Sequence, residues 1–233
     1  MNLSELSPWE RMQKELTWNQ IGACSGMDVL DFGSGNGVTA AYYARENRVT
    51  AIEPSSEMLS NRDQSAFYCQ IQGDIQTLRA FENTSFDRIF CHNVLEYADE
   101  RVEILYEFAR LLRPNGVLSI LKHNKPGRVM QMAVLLNQFD HAQELLNGAD
   151  GNAAQFGAIR YYQDEELLSW APGLQIIQVF GMRTFWDLQQ NQQVQQQREW
   201  QAKMMALESR VSQEEPYRSI AFFHHILLKK ADS

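Results

Sequence analysis

Cysteine is scarce in this sequence: there are three in 233 residues, Cys24, Cys69 and Cys91, and no two form a Cys-x-x-Cys pair. An odd count without a close pair excludes a disulfide framework and a cysteine zinc site as organising devices, and predicts buried, reduced thiols. Long apolar runs are missing, so no membrane span is expected. The opening residues, Met1-Asn2-Leu3-Ser4-Glu5, lack the basic-then-apolar order of a secretory leader, and the expected compartment is the cytoplasm. Positive charge is the minority sign: 21 Lys and Arg against 29 Asp and Glu give a formal net charge of -8. That balance argues against a broad nucleic-acid or membrane surface and leaves room for a local basic patch; Lys122, His123, Lys125 and Arg128 form such a group, able to meet an anionic substrate or to be a solvated loop. No metal is indicated, because the adjacent pair His224-His225 falls in an expected strand, where successive rings point to opposite faces. No internal repeat is visible.

What is present is a hydrophobic fraction of 44%, enough for a substantial core. Strand and helix signals alternate along it. Expected strands are Met27 to Phe32, Arg48 to Glu53, Ala66 to Gln72, Phe86 to Cys91, Val117 to Lys122, Leu174 to Phe180 and Ser219 to Leu228. Helices are expected over Val38 to Asn47, from about Glu57, and over Arg101 to Leu112. The turn sequence Arg113-Pro114-Asn115-Gly116 closes the last of these. Short alternating elements of this kind imply a parallel sheet with crossover helices, an α/β fold. One domain over 1–233 is expected, with an N-terminal amphipathic helix at about 5–24 and a core at about 26–123 and 171–230. A helical insertion without strands, suited to cover a substrate, is expected at about 124–170. Asp187 to Ser212 reads as one long polar helix, continued past its Gln-rich start by Trp200, Met204, Leu207 and Val211 at helical spacing.

The chemistry-bearing motif is Asp31-Phe32-Gly33-Ser34-Gly35-Asn36-Gly37, a glycine turn between a strand and a helix. Glycines there let a ligand approach the backbone. A phosphate-cradling loop is excluded, since no Gly-Lys-Ser/Thr follows. The dinucleotide fingerprint needs its third glycine three positions after the second, whereas Gly37 follows Gly35 by two. Asp31 also disfavours a pyrophosphate, whose charge it would repel, and suits a ligand carrying an ammonium or a sulfonium. Glu53 ends the next strand, where a carboxylate can accept bonds from ribose hydroxyls. Asp74, after Gly73, can accept from an adenine amino group, with the Ile75 N–H on the ring; it can equally be a helix cap.

On these residues the sequence resembles the class I methyltransferases, and the resemblance runs through nearly the whole chain. It rests on the glycine loop, on Glu53-Pro54-Ser55 with Met58, and on Gly73-Asp74-Ile75. Phe86-Asp87 and Leu111-Leu112-Arg113-Pro114-Asn115-Gly116-Val117 extend it. The resemblance implies a Rossmann-like, seven-stranded, mostly parallel sheet with helices on both faces, the last strand antiparallel, and S-adenosyl-L-methionine as cofactor. Three further stretches are similar to the bacterial tRNA 5-carboxymethoxyuridine methyltransferase family: Phe90-Cys91-His92-Asn93-Val94-Leu95-Glu96-Tyr97, Gly181 to Asp187, and Leu207-Glu208 through Tyr217. That similarity implies methyl-ester formation on a modified wobble uridine of tRNA, and a cofactor contact at Arg11. The tRNA family carries a lysine run in the insertion; here Asn147-Gly148-Ala149-Asp150-Gly151-Asn152 has none.

The expected cofactor residues are therefore Arg11, Asp31, Gly33, Ser34, Gly35, Glu53, Pro54, Met58, Asp74, Ile75 and His92. Lys122, Asn124, Arg160, Tyr161 and Arg183 are expected at the acceptor, which is either a small molecule or a tRNA nucleoside. A carboxylate acceptor needs no general base; a hydroxyl or amine would call on His92 or His123. Two other classes stay open at this stage: a nicotinamide oxidoreductase, against which the spacing of Gly37 speaks, and a non-catalytic nucleoside-binding protein. The oligomeric state is not legible.

Overall fold

The computed structural model of the chain describes residues 3–153 and 157–231. Its main sheet contains β1 (Asp28–Phe32), β2 (Arg48–Glu53), β3 (Cys69–Gln72), β4 (Phe86–His92), β5 (Leu112–His123), β8 (Leu174–Met182) and β9 (Phe223–Lys230). The spatial order is β3-β2-β1-β4-β5-β9-β8. Pairings among the first five strands are parallel, while β9 runs antiparallel to both β5 and β8. This is the Rossmann-like sheet expected from the sequence. The strand order reverses between β1 and β4, and the crevice at the carboxyl ends of those strands is where such sheets take ligands.

Period-2 alternation sorts the strand residues onto two faces. Leu30, Ile52, Ile89, Cys91, Leu118, Ile120, Ile226 and Leu228 pack on one side. There α4 (Ile75–Arg79) and α5 (Arg101–Leu111) bury Leu78, Leu105, Phe108 and Leu111. On the other side Val29, Val49, Ala51 and Phe90 meet Trp18, Val38, Ala40 and Tyr43. Trp18 belongs to α1 (Pro8–Ile21), and the other three to α2 (Val38–Tyr43). Helix α1 starts on a capping box: Ser7 N donates to Glu10 Oε2 at 2.9 Å, Glu10 N donates back to Ser7 Oγ, and Pro8 follows the cap. Its far face meets α9 (Arg198–Val211) around Met12, Leu16, Met182, Trp186, Trp200 and Met204.

Several expectations are corrected. The 124–170 region is not strandless: Gly151–Ala153 (β6) and Gly157–Ile159 (β7) pair antiparallel as a small second sheet. It also contains α6 (Lys125–Met130), continued by a wide turn at Gln131–Leu135, then α7 (Phe139–Leu146) and α8 (Glu166–Trp170). Residues 154–156 of this region lie outside the described residues. The long helix expected from Asp187 begins only at Arg198; before it come single tight turns at Trp186–Leu188 and Val194–Gln196. The intervening amides bond to nearby main chain instead of projecting from a helix, as in Asn191 N to Gln189 Oε1 at 2.9 Å and Gln192 Nε2 to Gln189 O at 2.6 Å. Strand β5 runs back through the expected turn to Leu112, with Asn115 at φ 65° and a register shift against β4. Cys24 and Cys91 are buried thiols, but Cys69 is exposed.

Candidate active site

The loop after β1 is strapped to the end of β2. Gly33 N and Ser34 N both donate to Ile52 O, at 2.9 and 3.0 Å, and Gly35 N donates to Glu53 Oε2 at 2.8 Å. Ser55 N donates to the other oxygen, Glu53 Oε1, at 2.9 Å. Glu53 thus holds the loop, and each oxygen keeps a second acceptor position. The loop glycines all have left-handed φ values, of 71°, 55° and 71°. A Cβ on Gly33 would lie 2.3 Å from Val94 Cγ2, so the loop touches the segment after β4. Nothing lies within 4 Å of a Cβ on Gly35, which faces open space.

Asp31 stands at the foot of this loop, 3% exposed. Burial pushes its carboxyl up to about 6, against the opposing pull of Lys14 and an N–H bond from Ala40 and with the neighbouring charge of Glu53 adding to the rise. Asp31 Oδ2 and Ser34 Oγ are buried without a hydrogen-bond partner. Lys14 reaches in from α1 and donates to Thr39 Oγ1 at 2.9 Å. Desolvation lowers its pKa while the charges of Asp31 and Glu10 raise it. A buried acid and a half-buried base therefore act on one another through their charges where the loop opens, with polar atoms left over. This donor set fits a zwitterionic amino-acid group: Asp31 for the ammonium, Lys14 for the carboxylate.

His92 closes the same crevice from the end of β4; its Nε2 lies 2.8 Å from Ser119 Oγ. Burial, then His225 and Lys14, hold it far below the usual imidazole range. Asn93 follows with φ 57° and an unpartnered buried Oδ1.

Beyond the ends of β4 and β5 lies a second polar group. His123 Nδ1 is 2.8 Å from Glu96 Oε1, and its ring meets Tyr97 and Phe223 at centroid distances of 6.3 and 4.6 Å. Arg128, on α6, donates from Nη1 to Gln131 and packs over Phe222, leaving its Nε buried and unpartnered. Tyr161 Oη and Glu96 Oε2 are unpartnered as well. Burial pushes the Tyr161 phenol up to about 12; Arg128 pulls it down and Glu96 pushes it further up. Lys125 Nζ lies 5.3 Å from the Tyr161 ring centre. Two cations and a phenol O–H suit an anionic oxygen group.

The structure redistributes other expected residues. Arg11 faces α9, donating to Gln201 Oε1 at 2.9 Å; Lys14, one turn along, is the α1 cation at the loop. Lys122 donates to Tyr162 O at 2.5 Å and pairs with Asp164 at 3.0 Å. Asn124 Nδ2 donates to Ser219 O and Ala221 O at 2.9 and 2.8 Å, stitching β5 to the segment before β9. Arg160 braces the 97–99 turn through Tyr97 O and Asp99. Arg183 is buried, bound to Asp187 at 2.5 Å and Gln13 at 2.9 Å under the Trp9, Phe222 and Phe223 rings. Asp74 is exposed and caps α4 by accepting from Gln76 N at 2.8 Å, and the Ile75 side chain goes to the core. Pro54 is exposed beyond β2; Met58 N donates to Ser55 Oγ at the start of α3 (Ser56–Ser60).

Sequence reading missed Lys14, Ser119, Glu96 and Gln20. Ser119 carried a signal, a lone polar residue within Val117-Leu118-Ser119-Ile120-Leu121. Lys14 did not, since a helix-surface lysine is ordinarily solvated.

Residues 30–120 match the family model described as a methyltransferase domain. Fold, loop and domain match support an S-adenosylmethionine-dependent methyltransferase with the class I fold. Among its relatives, it is similar to the tRNA 5-carboxymethoxyuridine methyltransferase of Escherichia coli (strain K12): 29% identical over 216 residues, covering 88% of this chain and 80% of that protein. It is also similar to the ubiquinone biosynthesis O-methyltransferase of Xanthomonas oryzae pv. oryzae (strain PXO99A), at 30% over 117 residues, 48% of this chain and 49% of that one. Among solved structures, an S-adenosylmethionine-dependent methyltransferase from Mesorhizobium loti shares the fold with TM-score 0.60 at 12% identity, covering 98% of this chain and all of that one (100%). The [4+2]-cyclase SpnF does so too, with TM-score 0.59 at 18% identity, covering 95% of this chain and 80% of that one. A cyclase on the same fold shows that the sheet alone does not choose the reaction.

Proposed function

We propose that this chain binds S-adenosylmethionine across the carboxyl ends of β1, β2 and β4 and forms a methyl ester on a carboxylate, that of a modified wobble uridine in tRNA. The carrying observation is the opposed pair Lys14 and Asp31 beside an open glycine loop. A nicotinamide dinucleotide would instead bring its anionic pyrophosphate to the loop, where Asp31 repels it. Asp31 takes the ammonium, Lys14 the carboxylate, Glu53 the ribose hydroxyls through its remaining acceptor positions, and Asp74 the adenine edge. The cofactor supplies an electrophilic methyl group on a sulfonium, open to in-line displacement by an oxygen.

The chain then has to align the acceptor and keep water out. Arg128, Lys125 and the protonated Tyr161 hold an anionic oxygen group past the ends of β4 and β5. A carboxylate is already ionised, so no base is needed; His92 and His123 serve orientation. The 124–170 segment, which supplies all three acceptor residues, acts as the cover over that side.

One observation favours a second reading, a small-molecule acid as acceptor: the net charge of -8 and the absence of lysine from residues 147–152 leave little to meet tRNA phosphates. Methyl transfer to tRNA bearing the carboxymethoxy group, run beside free carboxylic acids, separates the two. Transfer to tRNA is expected; transfer to free acids alone would replace the first reading by the second, and transfer to neither would end both.

A further inference from the structure

A row of hydrogen bonds crosses the sheet beneath α1. Gln20 Oε1 lies 2.6 Å from His225 Nδ1, His225 Nε2 lies 2.7 Å from Ser119 Oγ, and Ser119 Oγ lies 2.8 Å from His92 Nε2. The register makes this possible. Ser119 pairs with Phe90 on β4 and with Leu227 on β9. His92 and His225 stand two residues along their strands from those partners, so both are diagonal neighbours of Ser119 on one face. Ser119 is 1% and His225 0% exposed. Polar groups that deep in a sheet cost free energy unless they are bonded, and here every link is made.

Counting protons along the row fixes its polarity. Burial brings His225 down to about 3 and keeps His92 far below its usual range, so each ring carries one proton. With the Gln20 amide placed oxygen-first toward the ring, Oε1 accepts and His225 Nδ1 carries the hydrogen. His225 Nε2 then accepts from the Ser119 hydroxyl. The Ser119 oxygen, its one hydrogen spent, accepts from His92 Nε2–H. His92 Nδ1 is left as a bare lone pair, and it makes no hydrogen bond among the described residues. The titratable groups bearing on His92 are His225 from β9 and Lys14 from α1.

We propose that Gln20, His225 and Ser119 are positioning residues that hold His92 as the neutral Nε2–H tautomer, presenting its Nδ1 lone pair at the end of β4 beside the glycine loop. The consequence for the cofactor rests on the function proposed above: a lone pair accommodates a sulfonium, whereas an N–H or an imidazolium would oppose it. The tautomer itself does not depend on that reading.

The test is long-range nitrogen–proton NMR of the ligand-free protein with labelled histidines. At neutral pH, His92 Nδ1 is expected to resonate as an unprotonated ring nitrogen and Nε2 as a protonated one. The opposite tautomer, or a rapidly averaging mixture, overturns the proposal. Ser119→Ala and Gln20→Leu should convert the single tautomer to a mixture, while Ser119→Thr, which keeps the hydroxyl, should restore it; an unchanged spectrum in both of the first two variants also overturns it. The wild-type spectrum decides even where a variant fails to fold. Ser119→Ala should raise the dissociation constant for adenosylmethionine about fivefold, with adenosylhomocysteine, which lacks the sulfonium, little affected. Equal losses for both ligands would remove the sulfonium consequence and leave the tautomer standing.

Discussion

A carboxylate buried as deeply as Asp31 works against folding when its charge is incompletely met, and Lys14 offsets only part of its desolvation. Its pKa is raised from 3.8 to about 6 in the folded chain. A raised value means that its contribution to stability is fully present below 3.8 and is lost as pH rises through 6. At most about 3 kcal/mol is lost over that window, at 1.36 kcal/mol per unit. Asp31→Asn should therefore raise the stability of the ligand-free chain at pH 7, by up to that amount, in urea unfolding. The same variant should weaken cofactor binding by ten- to a hundred-fold, or about 1.4–2.8 kcal/mol. In the unmodified chain, affinity for adenosylmethionine should fall as pH drops below 6, because the ammonium selects the ionised form; calorimetric titrations at pH 5 and 7.5 check this. Equal affinities at the two pH values would remove Asp31 from the site. Glu53→Ala should weaken the same binding by about 1–3 kcal/mol, the cost of losing a buried hydrogen-bond partner. Asp31 and Glu53 were legible because strand ends and glycine turns mark their own positions. Lys14 was not: its role depends on where α1 lies over the sheet, a long-range outcome that helical spacing does not encode.

At the level of elements, Gly33 and Gly35 separate structure from binding. Gly33→Ala meets both a left-handed φ and a Cβ contact 2.3 Å from Val94, so it should cost about 1–3 kcal/mol of stability. Gly35→Ala meets only the φ, so its stability cost should be about 1 kcal/mol, while its methyl group enters the ligand's space. Thermal unfolding beside adenosylhomocysteine titration should show the larger stability loss for the first and the larger affinity loss relative to stability for the second. Glu208 of α9 offers a second contrast: 1% exposed, it accepts from the N–H groups of Thr184, Phe185 and Trp186 at 2.8, 2.8 and 3.0 Å. Glu208→Ala should cost about 2–4 kcal/mol in denaturant unfolding by stranding those donors, and a loss under 1 kcal/mol would show that water replaces the carboxylate. The first three strands were legible because Gly33, Pro54 and Gly73 follow them, and the others from their apolar runs. The Gln stretch was misread because glutamine has good helix propensity, yet its amides here bond to local main chain. The β6–β7 pair was invisible, since three-residue strands carry almost no alternation.

Across the whole molecule, the fold followed from alternation and from the family resemblance, because each βα unit is locally encoded. The acceptor side was legible only in part: Tyr161 and the basic group of Lys125 and Arg128 were expected there, but their partners come from distant stretches. Arg128 and Tyr161 meet Glu96 and Tyr97 only after the 124–170 segment folds back over the sheet. The arginines and the lysine expected there were absorbed into structure: Lys122 and His224 both bind Asp164, which ties that segment to β5 and β9. Burial pushes the Asp164 carboxyl up, but the His224 bond and the charges of His224 and Lys122 outweigh it and leave it lowered. That tie should hold above the ordinary carboxylate range and fail as pH falls through the lowered value, and hydrogen exchange in residues 162–168 should rise there before the core does. Ester formation itself is tested most directly by the lability of the product. After incubation with tRNA bearing the carboxymethoxy group and methyl-labelled adenosylmethionine, the label in the tRNA should be released as methanol by mild base. Label that survives base would place the methyl group on nitrogen, carbon or an ether oxygen, and would contradict a carboxylate acceptor.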